Sequence, residues 1–248
     1  MRKFINFICL GVLQMSKVLI TGASRGLGFE FVRQYAYEGW HVFATCRDPE
    51  NANNLLLLAD KLENISIHEM DVENHDSINS CSLKLSDESI DLLINNAGIA
   101  SNDFSSQKLG DFDFDFWEKI FRVNTLGPFK TSEAFLSQIM SSKQKKIAVV
   151  SSKVGSLSDM NNYPVYPYAT SKAALNKGMR MMAEQLKERG ISVVSLCPGH
   201  AKTDMGLMAD GANVEVDEAV RGMREVIYKL DIHSTGLFKQ FDGKTLLW

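Results

Sequence analysis

From Lys17 onward the chain alternates short apolar runs with longer amphipathic stretches, and this alternation most limits its fold. Runs such as Lys17-Val-Leu-Ile20, Asp91-Leu-Leu-Ile94 and Ile147-Ala-Val-Val150 are apolar on consecutive residues. A strand with one wet face would instead alternate apolar and polar positions, so these strands must be covered on both faces. Strands covered on both sides and separated by helical stretches make βαβ units and a parallel sheet. Strands are expected at Val18–Thr21, His41–Thr45, Ile65–Glu69, Leu92–Asn95, Ile147–Ser151, Ser192–Cys197 and Leu237–Lys239. Helices are expected at Leu27–Glu38, Asn51–Lys61, Asp76–Leu85, Phe116–Ser141, Tyr166–Arg189 and Asp217–Lys229. Gly39 and Gly190 stand where such helices end. The expected fold is α/β: a single doubly wound parallel sheet of about seven strands with helices on both faces.

No linker or internal repeat divides the 248 residues, a length that one α/β domain can fill. With 27 basic against 30 acidic residues the net charge is −3, and no basic stripe suits the chain to nucleic acid. Forty-five per cent hydrophobic residues exclude a disordered polymer. Four cysteines (Cys9, Cys46, Cys81, Cys197) lie far apart, which fits a reducing, cytoplasmic compartment better than a disulfide framework. The five histidines show no metal-ligand spacing, so no metal is expected.

Residues 1–14 pair Arg2 and Lys3 with an apolar run from Phe4 to Leu13. That run lacks a small-residue cleavage site and is shorter than the roughly 18–20 residues that span a bilayer. We read it as an extension or upstream start, with a membrane-surface anchor as the alternative. The domain then occupies 15–248, and stable membrane insertion is not expected.

Thr21-Gly-Ala-Ser-Arg-Gly-Leu-Gly28 runs from the first strand directly into a helix. Gly22, Gly26 and Gly28 permit a tight turn and close backbone approach, and the helix N-terminus offers free N–H groups to a pyrophosphate. The spacing is G-x-x-x-G-x-G, and a mere tight connection is the plainer alternative. Arg25 in this loop and Arg47, nineteen positions after Gly28, could pair with a ribose 2′-phosphate, which favours NADP(H). The plainer alternative makes both solvated surface arginines, and the neighbouring Asp48 could serve a 2′-hydroxyl, which keeps NADH possible. Asp71 follows the third strand and could accept from an adenine amino group or act as a turn or cap residue.

Tyr168 and Lys172 are four apart at the start of a long helix, on one face. The pair follows a strand ending in Ser151-Ser152 at the edge that carries the glycine loop. A phenol titrates near 10, and an adjacent ammonium and a nicotinamide would be expected to lower it toward neutrality. Ser152 could hold a substrate oxygen. The plain alternative makes Tyr168 a core-edge residue and Lys172 a snorkelling surface lysine.

Taken together, Thr21–Gly28, Asp71-Val72, Asn95-Asn-Ala-Gly98, Asn124, Ser152, Tyr168-x-x-x-Lys172 and Pro198-Gly199 resemble the short-chain dehydrogenase/reductase family, over nearly the whole domain. Cys46-Arg-Asp-Pro49, Tyr166-Pro-Tyr-Ala-Thr-Ser-Lys172, Lys202-Thr-Asp-Met205 and the ending Phe241-Asp-Gly-Lys-Thr-Leu-Leu-Trp248 look most like carbonyl reductases of the Sniffer and C-factor type. The resemblance implies a Rossmann-type fold and hydride transfer from NADPH to an aldehyde or ketone. It implies Tyr168 as general acid, with Lys172 on the nicotinamide ribose and Ser152 polarising the carbonyl. Asn124 would hold a water that links Lys172 to solvent. Cofactor contacts are implied for Gly22, Ser24, Arg25, Gly26, Leu27, Gly28, Arg47, Asp71, Val72, Asn95, Ala97, Gly98, Tyr168, Lys172, Pro198, Gly199 and Thr203, with Asn95 partly structural. Strand alternation sends Ser151 to the face opposite Ser152, and Ser152, three before Gly155, matches the family position.

His200 and Ala201 depart from the Trp and Val common in that group, and this leaves substrate preference open. His200 is read as a second acid or as a loop histidine covering the pocket edge. The loops Ala100–Phe104, Asn161–Val165 and Gly206–Val214 are expected to shape the pocket, the last as a lid. Asp111-Phe-Asp-Phe-Asp-Phe-Trp117 is expected to place acids at a helix start and aromatics in the core. By resemblance, the helices at Phe116–Ser141 and Tyr166–Arg189 would form a homodimer interface. Two other functions stay open: a 3-oxoacyl-thioester reductase, and a cofactor-binding C-factor-like signalling protein with little turnover.

Overall fold

A computed structural model of the chain describes residues 15–101, 107–159, 165–208 and 211–248. The extension at 1–14 and much of the Ala100–Phe104 and Asn161–Val165 loops lie outside the described residues, as does part of Gly206–Val214. The elements run β1 (Lys17–Thr21), α1 (Gly26–Tyr37), β2 (His41–Cys46), α2 (Asn53–Ala59), β3 (Ile65–Glu69), α3 (His75–Lys84) and β4 (Leu92–Asn95). They continue with α4 (Phe114–Phe121), α5 (Gly127–Ala134), α6 (Leu136–Met140), β5 (Lys146–Val150), α7 (Tyr166–Lys187), β6 (Ser192–Cys197), α8 (Val216–Lys229) and β7 (Leu237–Gln240).

All seven strands pair in parallel in one sheet of order β3-β2-β1-β4-β5-β6-β7. Strand residues alternate between two cores. Val18, Ile20, Leu92, Ile94, Ala148 and Leu196 face α1, α2 and α8, whereas Leu19, Leu93, Ile147, Val149 and Val193 face α3, α6 and α7. This two-sided burial is why the strands read as continuous apolar runs. The chain order reverses between β1 and β4, so their carboxyl ends, Thr21 and Asn95, border the crevice where such sheets hold ligands.

The helix expected over Phe116–Ser141 is instead broken into three. A π turn, Arg122–Leu126, joins α4 to α5, and Phe135 separates α5 from α6. Pro128 is the physical reason for the first break. It has no N–H for the Asn124 carbonyl four residues back, and its ring crowds a regular turn. The aromatics of the 111–117 stretch also depart from expectation. Asp113 does cap α4, accepting from the Phe116 N–H at 2.9 Å. Phe112, Phe114, Trp117 and Tyr166, however, form a ring cluster at the surface, and Ile120 is the buried residue of α4. No helix among the described residues is long and apolar enough to cross a membrane.

Candidate active site

The β1–α1 turn is shaped by its glycines. Gly22 and Gly26 have φ of +66° and +57°, a region in which a side chain is strained. A Cβ on Gly28 would lie 2.1 Å from the Gly22 carbonyl, and one on Gly22 would lie 2.9 Å from the Ala97 Cα. The loop therefore closes on itself and on the segment after β4. Arg25 opens α1 without a side-chain cap, so the first N–H groups of the helix face the crevice mouth unbonded by a cap. Ser24 and Leu27 lie in the same turn, partly buried.

Asn96 and Thr21, to which the sequence reading gave no role, fasten these two segments together. The Asn96 amide donates to the carbonyls of Thr21 (2.9 Å) and Gly22 (3.2 Å). The Thr21 hydroxyl accepts from the N–H groups of Asn96 (3.0 Å) and Ala97 (2.9 Å). Asn95, one residue earlier, turns the other way: its amide donates to Ser132 Oγ at 3.1 Å inside the core. The signal for Asn96 was its place one residue beyond β4, at the crevice.

The two arginines sit at the surface. Arg47 follows β2 at the crevice edge, and Arg25 forms an exposed ion pair with Asp204 at 3.0 Å. Asp48 is engaged locally, with its carboxylate accepting from the N–H (3.3 Å) and amide (2.7 Å) of Asn51. Asp71 makes a turn, accepting from the Glu73 N–H at 2.9 Å, while the cap of α3 is Asn74. Val72 is buried beside it, its carbonyl 2.8 Å from where a Gly127 Cβ would stand.

At the other end of the crevice, three segments converge on α7. The π turn places Asn124 so that its amide spans Ile99, accepting from the N–H (2.8 Å) and donating to the carbonyl (2.9 Å), and it also donates to Ser171 Oγ (3.2 Å). Thr125 bonds the Ser171 carbonyl at 3.0 Å. Gly98 lies against both site side chains: a Cβ there would be 3.3 Å from Asn124 Oδ1 and 3.7 Å from Lys172 Nζ. Gly155 lets the turn after β5 lie directly on α7, since a Cβ there would be 2.7 Å from the Lys172 backbone. Ser151 and Ser152 part as expected. Ser151 is buried against Asn176 Oδ1 at 2.6 Å, and Ser152 hydrogen-bonds the Tyr168 phenol.

Lys172 is buried, donates to the Val150 carbonyl at 2.9 Å, and lies 5.7 Å from the Tyr168 ring centre. Burial pushes its ammonium down to about 8. The expected lowering of Tyr168 is not what the protein alone produces. Burial pushes the phenol up to about 12, the Cys197 thiol adds to the rise, and the Ser152 hydrogen bond opposes it. Tyr168 as a whole residue is half-buried.

Pro198 and Gly199 follow β6 at the same edge, with Gly199 at φ +73°. Thr203 comes within 3.6 Å of where a Gly26 Cβ would lie, so the β6–α8 loop meets the glycine turn. His200 is a strut in that loop: its Nε2 bonds the Gly206 carbonyl at 2.7 Å. This favours the loop-histidine reading. Among the described residues no group of three or more His, Cys, Asp or Glu side chains is placed to hold a metal.

Comparisons with known proteins place the chain in a family. The family model for short chain dehydrogenases matches residues 16–211. The NADPH-bound carbonyl reductase from chicken fatty liver superposes with a TM-score of 0.87 at 34% identity, covering 95% of this chain and all of that one. Carbonyl reductase Sniffer of D. melanogaster gives 0.86 at 31% identity, covering 94% of this chain and all of that one. C-signal of Myxococcus xanthus is 35% identical over 159 residues, 64% of this chain and 93% of that protein. A glycine turn locked by Asn96, with Ser152, Tyr168 and Lys172 drawn onto the same sheet edge, thus sits in a chain that belongs to the short-chain dehydrogenase family.

Proposed function

We propose that the protein is an NADPH-dependent carbonyl reductase, acting as a cytoplasmic homodimer. The observation that carries the reading is the shared sheet edge. An open helix N-terminus lies at one end of the crevice, and a serine-bonded phenol beside a buried lysine lies at the other. The residues present fit a dinucleotide. The Gly22–Gly28 turn leaves room where any Cβ would collide, and the uncapped start of α1 suits a pyrophosphate. Gly22, Ser24, Arg25, Gly26, Leu27 and Gly28 would hold the phosphates, Arg47 and Arg25 the 2′-phosphate, and Asp71 with Val72 the adenine end. Ala97, Gly98, Pro198, Gly199 and Thr203 would line the nicotinamide end. The engagement of Asp48 with Asn51 leaves Arg47 as the charge at the ribose edge, which supports NADPH over NADH. When bound, the coenzyme supplies the hydride.

The chain's own residues supply the proton and the geometry. Ser152 and Tyr168 offer two hydroxyls to one substrate oxygen, which orients the carbonyl and stabilises charge growing on it. A phenol held near 12 stays protonated throughout the neutral range, the state required of the acid in reduction. Tyr168 gives its proton to the oxygen as the C–O bond becomes single. Lys172, titrating near about 8, is close enough to neutrality to help refill the phenol. Asn124, already bonded to Ile99 and Ser171, holds the floor of that end. The exposed ring of Phe114 on α4, stacked on half-buried Trp117, supplies apolar surface for pairing two copies.

The test is NADPH oxidation against a panel of small aldehydes, ketones and a 3-oxoacyl thioester, with NADH in parallel. Turnover of small carbonyls with NADPH preferred is the expected result. Turnover of the thioester alone would make the protein an acyl-chain reductase, and cofactor binding with no turnover at all would make it a binding protein. Sedimentation as a monomer would remove the homodimer from the reading.

A further inference from the structure

The last residues of the chain do work that the site description leaves out. After β7 the chain turns at Gln240–Lys244, with Gly243 at φ +87°, and runs back beside β7. Thr245 bridges Lys239 in antiparallel sense, and the Leu246 N–H donates to the Phe238 carbonyl at 2.8 Å. The ring of Trp248 then lodges between two elements. It stacks on buried Phe238 of β7 at 5.4 Å and lies 5.6 Å from the Arg180 guanidinium of α7. Arg180 stands two turns beyond Lys172 on the same helix.

The main chain of this tail receives the loop that carries Ser152. Ser156 Oγ donates to the Leu247 carbonyl at 2.8 Å, and Ser158 donates to the Trp248 main-chain oxygen from both its N–H (3.1 Å) and its hydroxyl (2.6 Å). Upstream, the loop is tied to the sheet through the Ser151 N–H and the Leu196 carbonyl at 2.7 Å. In between, Ser152 opens a single 3-10 turn, Lys153–Gly155, that rests on α7 through Gly155. The serine turn is therefore gripped at one end by the sheet and at the other by the tail, and the tail itself is pinned to α7. We propose that the Leu247–Trp248 tail is a positioning element for Ser152, setting its distance from Tyr168 by clamping the serine loop to the helix that bears Tyr168 and Lys172.

A hydroxyl that orients a carbonyl must be held within a fraction of an ångström, so a loosened loop acts on the chemical step. The coenzyme turn lies across the crevice from this clamp. The proposal rests on the carbonyl-reductase reading for its kinetic readout and on the fold alone for its structural one.

The experiment compares Trp248→Ala and Trp248→Phe in the full chain. It measures the NADPH dissociation constant by nicotinamide fluorescence, kcat and KM with 4-nitrobenzaldehyde, and hydrogen exchange of the 153–158 amides. For Trp248→Ala we expect kcat/KM lower by about tenfold or more with NADPH affinity within about twofold, and faster exchange at Ser158. Trp248→Phe, which keeps a stacking ring, should restore most of the loss. A folded Trp248→Ala protein with wild-type kcat/KM, or with unchanged Ser158 exchange, overturns the proposal. If that variant does not fold, Ser156→Ala with Ser158→Ala tests the same clamp from the loop side under the same criteria. Absence of carbonyl turnover in the wild-type chain would instead sink the functional reading, and the exchange measurement would still decide the clamp.

Discussion

The two ends of the crevice are built by different means. The glycine end is made of backbone: consecutive residues 21–28 fold into one turn, closed by Asn96 and by glycines that leave no room for side chains. The reacting end is made of side chains delivered by three segments, with Asn124 and Ser152 meeting Tyr168 and Lys172 of α7. A backbone-built cradle fails by steric intrusion and takes stability with it. A side-chain-built site can lose one group and keep its shape. Substitutions at the two ends should therefore separate activity from stability in opposite ways.

The largest separation is expected at Tyr168. Tyr168→Phe removes the proton donor and keeps the ring, so kcat/KM should fall by about two to four orders of magnitude, the range for a lost general acid. NADPH affinity and melting temperature should stay near wild type, because the phenol oxygen makes no contact with the glycine turn. Retained turnover would take the acid role from Tyr168. At the other end, Gly28→Ala should act through space. The added methyl would meet the Gly22 backbone carbonyl at 2.1 Å and the Asn96 side-chain amide, itself bonded to two carbonyls, at 2.6 Å. Overpacking of this kind costs about 1–3 kcal/mol. Calorimetry and NADPH titration should show a lower melting temperature and weakened binding together, and unaltered values of both would break the contrast.

The smallest effect concerns pH and lies away from both ends. His41 and His68 on β2 and β3 are bridged through Ser66 Oγ at 3.4 and 3.1 Å, and burial holds both below the ordinary histidine value. A base whose folded pKa is depressed binds its proton more readily when unfolded. Its stabilising share is therefore complete above the unfolded value near 6.5 and is lost as pH falls through the lower folded values. The melting temperature should decline modestly from pH 7 toward pH 5. His41→Gln with His68→Gln should flatten that slope, and an unchanged slope would assign it elsewhere.

What could be read in the sequence follows the same division. The glycine turn was legible because its parts are consecutive, and so was the sheet, because two-sided burial leaves unbroken apolar runs. Tyr168 and Lys172 were legible as a pair because helical spacing puts them on one face. Asn96 was not singled out from Asn95, since the choice depends on which of two neighbours lies past the strand end. The rings of the 112–117 stretch were expected in the core, yet α4 buries Ile120 and leaves Phe114 outside. The rise of the Tyr168 phenol in the protein alone was not legible either, because it comes from desolvation by surroundings distant in sequence, which outweighs the Ser152 hydrogen bond. The clamp from Trp248 onto Ser158 joins residues ninety apart, and no local pattern announces it.

The π turn at Arg122–Leu126 has one more consequence, for how this helix tolerates change in length. One residue added to or removed from a helical stretch rotates everything after it by about 100°. Ile120, Val123, Asn124, Gly127, Pro128 and Thr131 are buried at spacings of three and four, so one inward stripe continues from α4 through the turn into α5. Deleting one residue here would turn α5 off that stripe and disturb the placement of Asn124 against Ile99 and Ser171. The lobe is thus sensitive to insertion and deletion at a place where ordinary substitutions of exposed residues such as Leu126 are cheap.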